Sequence, residues 1–507
     1  MHLAGLSLVS VLVVFIGEVH CKPPNIVFIL TDDQDAVLGG MDPMTKTKKL
    51  IGGAGVTFES MYVSSPLCCP SRSSILTGKH NHNYQALNNS IEGNCSSPSW
   101  QATQENDTFI THLSQLHYQT FFAGKYLNQY GKKKAGGVKH VPPGWDAWHG
   151  LVGNSVYYNY TLSVNGKAEK HGDNYDKDYL TNIIHNRALK FLSHRKHTHP
   201  FFMMLSTPAC HAPFTPAPQY SGNFSDVKAP RNGSFNVYGK DKHWLIREAK
   251  HPMANDAIQY IDKIYKNRWR TLLSVDDMVE SVINKVEEIG ELNNTYFFFT
   301  SDNGYHMGQF SLVYDKRELY ETDIKVPFMV RGPGIKPGLT RKELVMNVDL
   351  GPTFIDLAGG SPPSTMDGMS IKPLLTTTEK FPSTARGAGL IEHVGEYSYS
   401  VKGCPQWNGQ NMFNCEVDCV CNDSKNNTYA CLRVVSPTDN VIVCQFSDSE
   451  DFIEMYDLNK DPHQLDNIAK TVKPQRFLDY NKRLIKLMVC AGIECHSDSK
   501  LSYRNLD

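Results

Sequence analysis

Neither sign of charge is in excess in this 507-residue sequence, which has 51 basic and 52 acidic residues and a formal net charge of -1. A chain without net charge generates no overall field that would attract it to nucleic acid or to an anionic membrane surface. We therefore expect no nucleic-acid partner, and any polyanion must be held by a local group of residues. The chain also has no evident internal repeat and no long low-complexity tract, and its length suffices for a large core.

Long apolar runs are equally scarce. The run at residues 3–16 has the length of a signal-peptide h-region and is too short to span a membrane. We interpret residues 1–21 as a signal peptide and expect no stable membrane insertion. An uncleaved anchor is the alternative, because His2 is the only candidate for a basic n-region.

Two further features indicate passage through the secretory pathway. Seven of the thirteen cysteines lie beyond residue 410 and an eighth is Cys404, a clustering typical of disulfides in an oxidising compartment. The pairing cannot be deduced, and a zinc site at Cys419 and Cys421 is the alternative, although their one-residue spacer is shorter than usual zinc-ligand spacing. Nine Asn-x-Ser/Thr sequences are candidate glycosylation sites. They are Asn88, Asn94, Asn106, Asn159, Asn223, Asn232, Asn293, Asn422 and Asn426.

Short apolar runs alternate with helical patterns along the first three quarters of the chain. The residues 271–289 place valines and leucines on one helical face, with Ser274 and Asp277 near the predicted start and Gly290 as a stop. The alternation predicts an α/β fold with a large, mainly parallel or mixed sheet flanked by helices. The predicted buried strands are Ile26–Leu30, Phe121–Ala123, Phe201–Leu205, Tyr296–Phe299 and Phe328–Val330.

The texture of the sequence changes near residue 375, where Pro362-Pro363 and the threonines at 376–378 precede the cysteine-rich tail. We place a domain boundary there, between a main domain at 22–375 and a C-terminal α+β subdomain at 376–507. The alternating segments Val441–Val443 and Phe452–Tyr456 predict a small antiparallel sheet in the tail.

Polar residues follow two of the predicted strands. In open α/β sheets, ligands bind beyond the carboxyl ends of strands, and Asp32-Asp33 and Asp302-Asn303 occupy such positions. Adjacent carboxylates repel each other unless a cation compensates, and this oxygen-rich set suits Ca²⁺ or Mg²⁺. A helix cap or a turn is the alternative interpretation of each pair.

The run Cys68-Cys69-Pro70-Ser71-Arg72, followed by Leu76-Thr77-Gly78, is the most specific motif in the chain. It resembles the signature of the formylglycine-dependent sulfatase family, in which the first cysteine is oxidised to formylglycine. A proline early in a helix is compatible with this, because the free N–H groups of the first turn would face an anionic sulfate ester. A structural cysteine pair before a helix is the alternative.

The resemblance covers essentially the whole chain and is strongest to the lysosomal N-acetylglucosamine-6-sulfatase branch of the family. Extracellular heparan endosulfatases are similar in the catalytic part, but they carry a long basic insertion that this chain lacks. The segments that carry the resemblance are Pro24-Asn25-Ile26, Asp32-Asp33-Gln34-Asp35, Asn94-Cys95-Ser96-Ser97, Gly124-Lys125-Tyr126-Leu127-Asn128, Lys242-His243-Trp244-Leu245-Ile246-Arg247, Ser301-Asp302-Asn303-Gly304-Tyr305-His306 and Asp418-Cys419-Val420-Cys421.

The resemblance implies an alkaline-phosphatase-like fold, with residues 22–375 as the catalytic domain. It implies one Ca²⁺, held by Asp32, Asp33, Asp302, Asn303 and the formylglycine made from Cys68. It also implies a catalytic set in which the cations bind sulfate, Asp302 accepts the proton of the attacking hydroxyl, and His211 and Lys316 help to protonate the leaving alcohol. That catalytic set is Cys68, Arg72, Lys125, His211, Asp302 and Lys316.

The implied reaction removes the 6-O-sulfate of N-acetylglucosamine 6-sulfate at non-reducing ends of heparan and keratan sulfate. The implied partners are the glycosaminoglycan substrate and the formylglycine-generating enzyme, and the sequence leaves open whether the protein forms a homodimer. The implied location is the lysosome, with secretion as the alternative. An endosulfatase, a two-zinc phosphatase of the wider superfamily and an inactive glycosaminoglycan-binding glycoprotein are the competing functions.

Two positions depart from the family pattern. Leu127 stands where many sulfatases have a histidine, so the base of the second half-reaction must lie elsewhere, with His82, His306 and Asn128 as candidates. Cys210 stands where relatives have proline, and we expect a buried thiol without a chemical role. The polar and aromatic residues at 80–100 are our candidate for part of the sugar pocket, with an ordinary surface loop as the alternative.

Overall fold

The computed structural model describes residues 22–231, 233–396 and 424–499. The proposed signal peptide lies outside these ranges, as do Asn232 and Asn422 of the proposed glycosylation sites and the Cys419/Cys421 pair. Within the described ranges, no helix is both long and apolar enough to cross a membrane.

A ten-stranded mixed sheet forms the centre of the molecule, as the alternation of strand and helix patterns predicted. Its order is β10-β2-β9-β8-β1-β7-β3-β4-β5-β6, and the five strands from β8 to β4 are all parallel. All five predicted strands are confirmed. The strands are β1 Asn25–Thr31, β2 Val56–Tyr62, β3 Gln119–Gly124, β4 Ala147–Leu151, β5 Thr161–Val164, β6 Lys167–Lys170, β7 Phe201–Ser206, β8 Thr295–Ser301, β9 Phe328–Arg331 and β10 Leu339–Met346.

The helices cover both faces of this sheet or pack on the C-terminal part. They are α1 Thr45–Thr47, α2 Cys68–Thr77, α3 Asn81–Tyr84, α4 Pro98–Thr103, α5 Phe109–Gln115, α6 Tyr175–Asp178, α7 Leu180–His194, α8 Trp244–Arg247, α9 Asn255–Glu288, α10 Glu321–Ile324, α11 Leu350–Leu357, α12 Lys372–Thr376, α13 Pro474–Val489 and α14 Glu494–Ser499.

Helix α9 shows where the sequence prediction was wrong. The predicted start at residue 271 lies in its middle, because the helix begins at Asn255. Its buried face extends toward the N-terminus through Ile261 and Ile264. Ser274 and Asp277 are interior helical positions, and Asp277 accepts a hydrogen bond from Lys46 Nζ at 2.9 Å instead of capping a helix.

Side chains of β1 alternate between two cores because successive residues of a strand point to opposite faces. Ile26 and Phe28 belong to the core that contains Ile75 of α2. Val27 and Ile29 belong to the other core, with the apolar residues of α7 and α9. Burial on both faces fixes the strand, so that its carboxyl end carries polar residues to one edge of the sheet.

A second sheet follows in the C-terminal part, and it is antiparallel as predicted. It contains β11 Ala388–His393, β12 Tyr429–Val435, β13 Asn440–Phe446 and β14 Ile453–Asp457 in that order. A disulfide joins the paired residues Cys431 and Cys444, and another joins Cys490 to Cys495. The boundary at 375/376 stays a prediction.

The described acceptor asparagines differ in exposure. Asn106, Asn159, Asn223 and Asn293 are exposed. Asn88 is only 8% exposed, and its Oδ1 accepts hydrogen bonds from the backbone and the hydroxyl of Ser90 at 2.9 and 2.8 Å. Which acceptors carry glycans stays a prediction.

A histidine links α3 to the C-terminal part. His82 Nδ1 lies 2.9 Å from both carboxylate oxygens of Glu392 in β11, and Nε2 lies 2.8 Å from the carbonyl of Cys490. The ring of His80 stacks on it at 5.9 Å. Burial lowers the pKa of His82, but the hydrogen bonds and charge of Glu392 outweigh burial, so the pKa lies above its usual 6.5.

This ion pair predicts a pH-dependent stability. The folded protein holds the proton of His82 more tightly than the unfolded chain does, so the stabilisation is fully present below pH 6.5 and is lost as pH rises through the higher folded pKa. We expect His82→Gln to lower the melting temperature by about 1–3 °C at acidic pH and by less at pH about 8.5. Calorimetry at both pH values checks this, and an equal loss at both would contradict it.

Candidate active site

The candidate nucleophile is the first residue of α2. Leu67 before it is extended, and Pro70 falls in the first turn, where its missing N–H costs no helical hydrogen bond. Cys68 is fully buried, and its Sγ lies 3.6 Å from Asp32 Oδ1 and 3.8 Å from Asp33 Oδ1. Burial raises the pKa of the Cys68 thiol to about 12. The unmodified thiol is therefore protonated at physiological pH and a poor nucleophile.

The acidic residues meet because β1 and β8 are adjacent and parallel. Thr31 pairs with Ser301 at the ends of these strands, so the residues that follow them are neighbours. The N–H of Asp33 donates to Asp302 Oδ1 at 3.0 Å, and Asn303 Nδ2 donates to Asp33 Oδ1 at 2.8 Å. The two predicted acidic pairs thus form one buried cluster.

A different cation faces each carboxylate of the cluster. Lys125 Nζ lies 2.8 Å from Asp32 Oδ2. Lys316 Nζ lies 2.6 Å from Asp33 Oδ1. Arg72 Nε lies 2.7 Å from Asp302 Oδ2. Removing charges from water is costly, and this pairing compensates each of the buried anions.

The cations shift the pKa values of the carboxyl groups. Burial alone would raise the pKa of Asp32, but Lys125, then His211 and Arg72, hold it well below its usual range. At Asp33, burial likewise raises the pKa and the charge of Lys316 lowers it, and the net result is a pKa below the usual value. Burial and the charge of Asp32 raise the pKa of Asp302 to about 6 despite Arg72.

Arg72 also joins the ends of three strands. Its Nη1 donates to the carbonyl of Lys125, which follows β3, at 2.8 Å, and to Ser206 Oγ at the end of β7 at 2.7 Å. Its Nε contact with Asp302 adds the end of β8. Helix α2 is therefore locked onto the sheet by the same side chain that the sequence predicts to bind sulfate.

His211 completes the group. Its Nδ1 lies 2.7 Å from the carbonyl of Ala212, which requires the ring proton on Nδ1 in the neutral form. Nε2 then faces the cluster, 3.8 Å from Asp33 Oδ2. Burial lowers the pKa of His211, although Asp32 and Asp33 oppose this.

The donor set fits a hard divalent cation. Ligand atoms of Asp32, Asp33, Cys68 and His211 lie within 4.8 Å of one another. Asn303 Oδ1 is buried without a hydrogen-bond partner among the described residues. Carboxylate and amide oxygens are the ligands that Ca²⁺ and Mg²⁺ prefer. The predicted ligand set, with Asp302 in it, stays a prediction.

Sequence reasoning missed several supporting residues. Ser155 Oγ donates to Asp32, and Ser71 Oγ donates to the carbonyl of Asp302. Arg268 Nη2 donates to the carbonyl of Asp33 at 2.6 Å, from the opposite core. Ser206 could have been found, because it directly follows the predicted strand Phe201–Leu205 at the correct edge of the sheet. Neither Ser155 nor Arg268 lies in a sequence motif that indicates a functional residue.

The proposed bases for the second half-reaction fall in different surroundings. Leu127 is fully buried in the core. Both nitrogens of His82 are engaged by Glu392 and Cys490. His306 Nδ1 lies 2.9 Å from Asp323 Oδ2, while its Nε2 is buried without a hydrogen-bond partner in the described chain. Asn128 Nδ2 donates to Asn154 at 3.2 Å. The choice among them stays a prediction.

The second residue of the motif, Cys69, has a structural role. Cys69 forms a disulfide with Cys95 and is fully buried, because the loop after α3 folds back onto the start of α2. Cys210, as expected, is a buried free cysteine, with its pKa raised to about 12 by burial.

The predicted sugar-pocket stretch at 80–100 is only partly available to a ligand. Its aromatic residues Tyr84 and Trp100 pack edge to face inside the core and are fully buried. Asn89 lies close to the nucleophile, because its Oδ1 accepts from the N–H of Cys69 at 2.9 Å. The structure thus places Asn89 of this stretch beside the motif, and the sugar-pocket assignment stays a prediction.

Comparison with known proteins identifies the family. The sulfatase family profile matches residues 24–361. N-acetylglucosamine-6-sulfatase of Capra hircus is 56% identical over 94% of this chain and 85% of its own length. The human N-acetylglucosamine-6-sulfatase is 55% identical over 94% of this chain and 86% of its own.

A solved structure shares the fold of this chain. A protein in complex with its substrate D-glucosamine-2-N,6-O-disulfate superposes with a TM-score of 0.72 and 26% identity, over 92% of this chain and 97% of its own. Its fold is thus shared over nearly the whole described molecule. With its buried cysteine among three carboxylates and three cations, this chain belongs to the sulfatase family and is a sulfuric ester hydrolase.

Proposed function

We propose that the enzyme hydrolyses the 6-O-sulfate ester of N-acetylglucosamine 6-sulfate at non-reducing ends of heparan and keratan sulfate. The observation that carries the proposal is the position of Cys68 at the start of α2, buried between Asp32 and Asp33 and within reach of three cationic side chains. The names of the goat and human relatives, and the 6-O-sulfated ligand of the solved structure, favour this substrate.

In this proposal, the formylglycine-generating enzyme converts Cys68 to formylglycine, whose hydrate supplies the attacking oxygen. Asp302 accepts the proton of the attacking hydroxyl. Lys125, Lys316 and Arg72 offset negative charge on the sulfuryl group, a preorganised electrostatic effect that is often worth several kcal/mol. Covalent catalysis of this kind divides one difficult displacement into two easier steps.

His211 acts on the leaving group. Because Ala212 fixes the neutral tautomer, a second proton can enter only at Nε2, on the side that faces the carboxylates. From there it is donated to the departing sugar oxygen, with Lys316 as the neighbouring cation. Acidic surroundings favour this protonated form, which suits a lysosomal enzyme.

A bound Ca²⁺ would polarise the ester oxygens. The residues that would hold it are Asp32, Asp33, Asp302, Asn303 and the formylglycine at position 68. Chelation with EDTA should lower sulfate release by about 100-fold or more, and Ca²⁺ should restore it. Metal analysis should find about one Ca²⁺ per chain. Full activity in metal-free protein, or two zinc ions per chain, would contradict this and would favour the phosphatase interpretation.

The substrate proposal is tested with two kinds of ester. The purified enzyme should release sulfate from N-acetylglucosamine 6-sulfate at the end of a short heparan or keratan oligosaccharide. The matched control carries the same sulfate on an internal residue with an unsulfated terminal sugar, and it should not be cleaved. Cleavage of internal esters alone would make the enzyme an endosulfatase. Binding of both oligosaccharides without any sulfate release would favour an inactive glycosaminoglycan-binding protein.

The proposed location is the lysosome, reached through the secretory pathway. Four exposed acceptor asparagines and three disulfides among the described residues support oxidative folding and glycosylation. Fractionation of expressing cells should find the glycoprotein with lysosomal markers. Exclusive recovery in the medium would favour the secreted alternative.

A further inference from the structure

Five lysines form an exposed ridge beside the candidate active site. The lysine ridge consists of Lys132, Lys133, Lys134, Lys139 and Lys167, all of them exposed. The residues 129–139 contain four of these lysines and no acidic residue. In a chain whose charges nearly balance, the ridge is a local concentration of positive charge, which attracts anions within about one Debye length.

The ridge is connected to the catalytic cluster by short stretches of chain. Lys132 lies seven residues after Lys125. The N–H of Gly153 donates to the carbonyl of Tyr130 at 2.8 Å, and a Cβ added at Gly153 would come within 3.5 Å of Lys132 Cε. Ser155, two residues later, donates to Asp32. The ridge therefore begins at the edge of the sheet that carries the active site.

The lysines are held on a folded turn. The N–H groups of Ala135 and Gly137 donate to the carbonyl of Lys132 at 2.8 and 3.0 Å, and Gln101 Nε2 donates to the carbonyl of Ala135 at 2.9 Å. Ala135 is fully buried beneath the lysines. Because the backbone of the turn is already ordered, ligand binding costs no further loop entropy there.

The hairpin β5–β6 extends the ridge. Ser163 Oγ donates to the carbonyl of Val138 at 2.6 Å, which brings the turn that carries Lys167 beside Lys139. Among the described residues, the acidic side chain that pairs with a ridge lysine is Glu92, whose Oε1 lies 3.1 Å from Lys134 Nζ. These two side chains are 68% and 77% exposed, so water screens the pair and Glu92 neutralises at most one of the five lysines. Glu169 and Glu105 are also near the ridge, but they form ion pairs with Arg187 and His140.

We propose that the lysine ridge binds the anionic polysaccharide chain that continues beyond the terminal residue in the active site. This inference rests on the proposed function, because a sulfated glycosaminoglycan is then the polymer that reaches the site. Its repeated sulfate and carboxylate groups match a row of lysines, which act as point charges and need no fixed sugar geometry. The ridge lowers KM for long substrates and has no part in bond cleavage.

The test uses the full glycoprotein with Lys132→Gln/Lys133→Gln/Lys139→Gln, a variant that leaves the Lys134–Glu92 pair intact. The matched control is Lys48→Gln/Lys49→Gln/Lys336→Gln. These three lysines are also exposed, but they precede β2 and β10 and so lie at the opposite edge of the sheet. Both variants are assayed on N-acetylglucosamine 6-sulfate and on a heparan oligosaccharide that ends in this residue.

The ridge variant should raise KM for the oligosaccharide by about five- to tenfold at low ionic strength without changing kcat. The increase should shrink with added salt. The monosaccharide constants and both constants of the control variant should stay unchanged. An unchanged oligosaccharide KM, an equal rise for the monosaccharide, or the same rise in the control variant would overturn the proposal.

Retention on immobilised heparin separates this proposal from the proposed function. If the wild-type enzyme does not hydrolyse the monosaccharide, the proposed function fails, whereas earlier elution of the ridge variant than of the control would still support the ridge. Equal elution of the two variants would overturn it. Ridge-dependent binding to phosphatidylserine vesicles without binding to heparin would also overturn it, in favour of a membrane surface.

Discussion

The Cys68→Ala variant should lose sulfate release by a factor on the order of 10⁶ while it still folds. Alanine offers neither a thiol for oxidation nor an oxygen for attack, so the covalent route disappears and only binding and electrostatic effects remain. Stability should change by about 1 kcal/mol or less, since one buried sulfur is removed next to carboxylates that gain space for water. Sulfate release and thermal unfolding of the purified variant check both parts.

The control for this variant is Cys210→Ala. Cys210 is the other free, fully buried cysteine among the described residues, and its removal should leave activity within about threefold, with a stability loss of about 1 kcal/mol. Cys69→Ala is a poor control, because it breaks the disulfide to Cys95 and leaves a second thiol near Cys68. Near-normal turnover of Cys68→Ala would show that another residue is the nucleophile.

The Arg72→Gln variant should lose both activity and stability. Activity should fall by about 10³, because one charge that faces the sulfuryl group is removed from a site sheltered from water. The free energy of unfolding should fall by about 3 kcal/mol, since Asp302 is left buried without its ion pair and the contacts to Lys125 and Ser206 are lost. Steady-state kinetics and chemical denaturation measure the two losses.

Arg195→Gln separates the catalytic loss from the structural one. Arg195 is also buried and pairs with Glu291 at 3.1 Å, but Glu291 hydrogen-bonds Asn25 at the start of β1, at the edge of the sheet away from the site. This variant should be destabilised by a smaller amount, about 1 kcal/mol, because Glu291 keeps its ion pair with Lys22 at 2.7 Å, and it should keep its kcat. A proportional loss of kcat in both variants would mean that Arg72 acts only through stability.

The strands, and the edge of the sheet at which the acidic residues meet, could be predicted from the sequence. Buried parallel strands are continuous apolar runs, so the ends of β1 and β8 were visible, and polar residues directly after them had to converge. The motif that begins at Cys68 indicated the start of α2. The family resemblance implied the roles of Lys125, His211 and Lys316, which lie far apart in the sequence and within one cluster in the fold.

Other parts depend on tertiary contacts that leave no local pattern. The pairing of Cys69 with Cys95 follows from how the loop after α3 folds, which spacing alone does not determine. Ser155 reaches Asp32 from a loop without periodicity. The first half of α9 buries Ala257, Ile261 and Ile264 against a separate apolar cluster from that of the second half, and the pattern at 271–289 does not indicate this extension. These positions required the structure.

The most direct test of the account is the chemical identity of residue 68. Mass spectrometry of the peptide that contains residue 68 from the purified glycoprotein should find an aldehyde in place of the thiol, and a carbonyl reagent such as a hydrazide should label that residue. The same peptide with an intact cysteine in enzyme that releases sulfate at full rate would contradict the formylglycine mechanism and the assignment of the nucleophile with it.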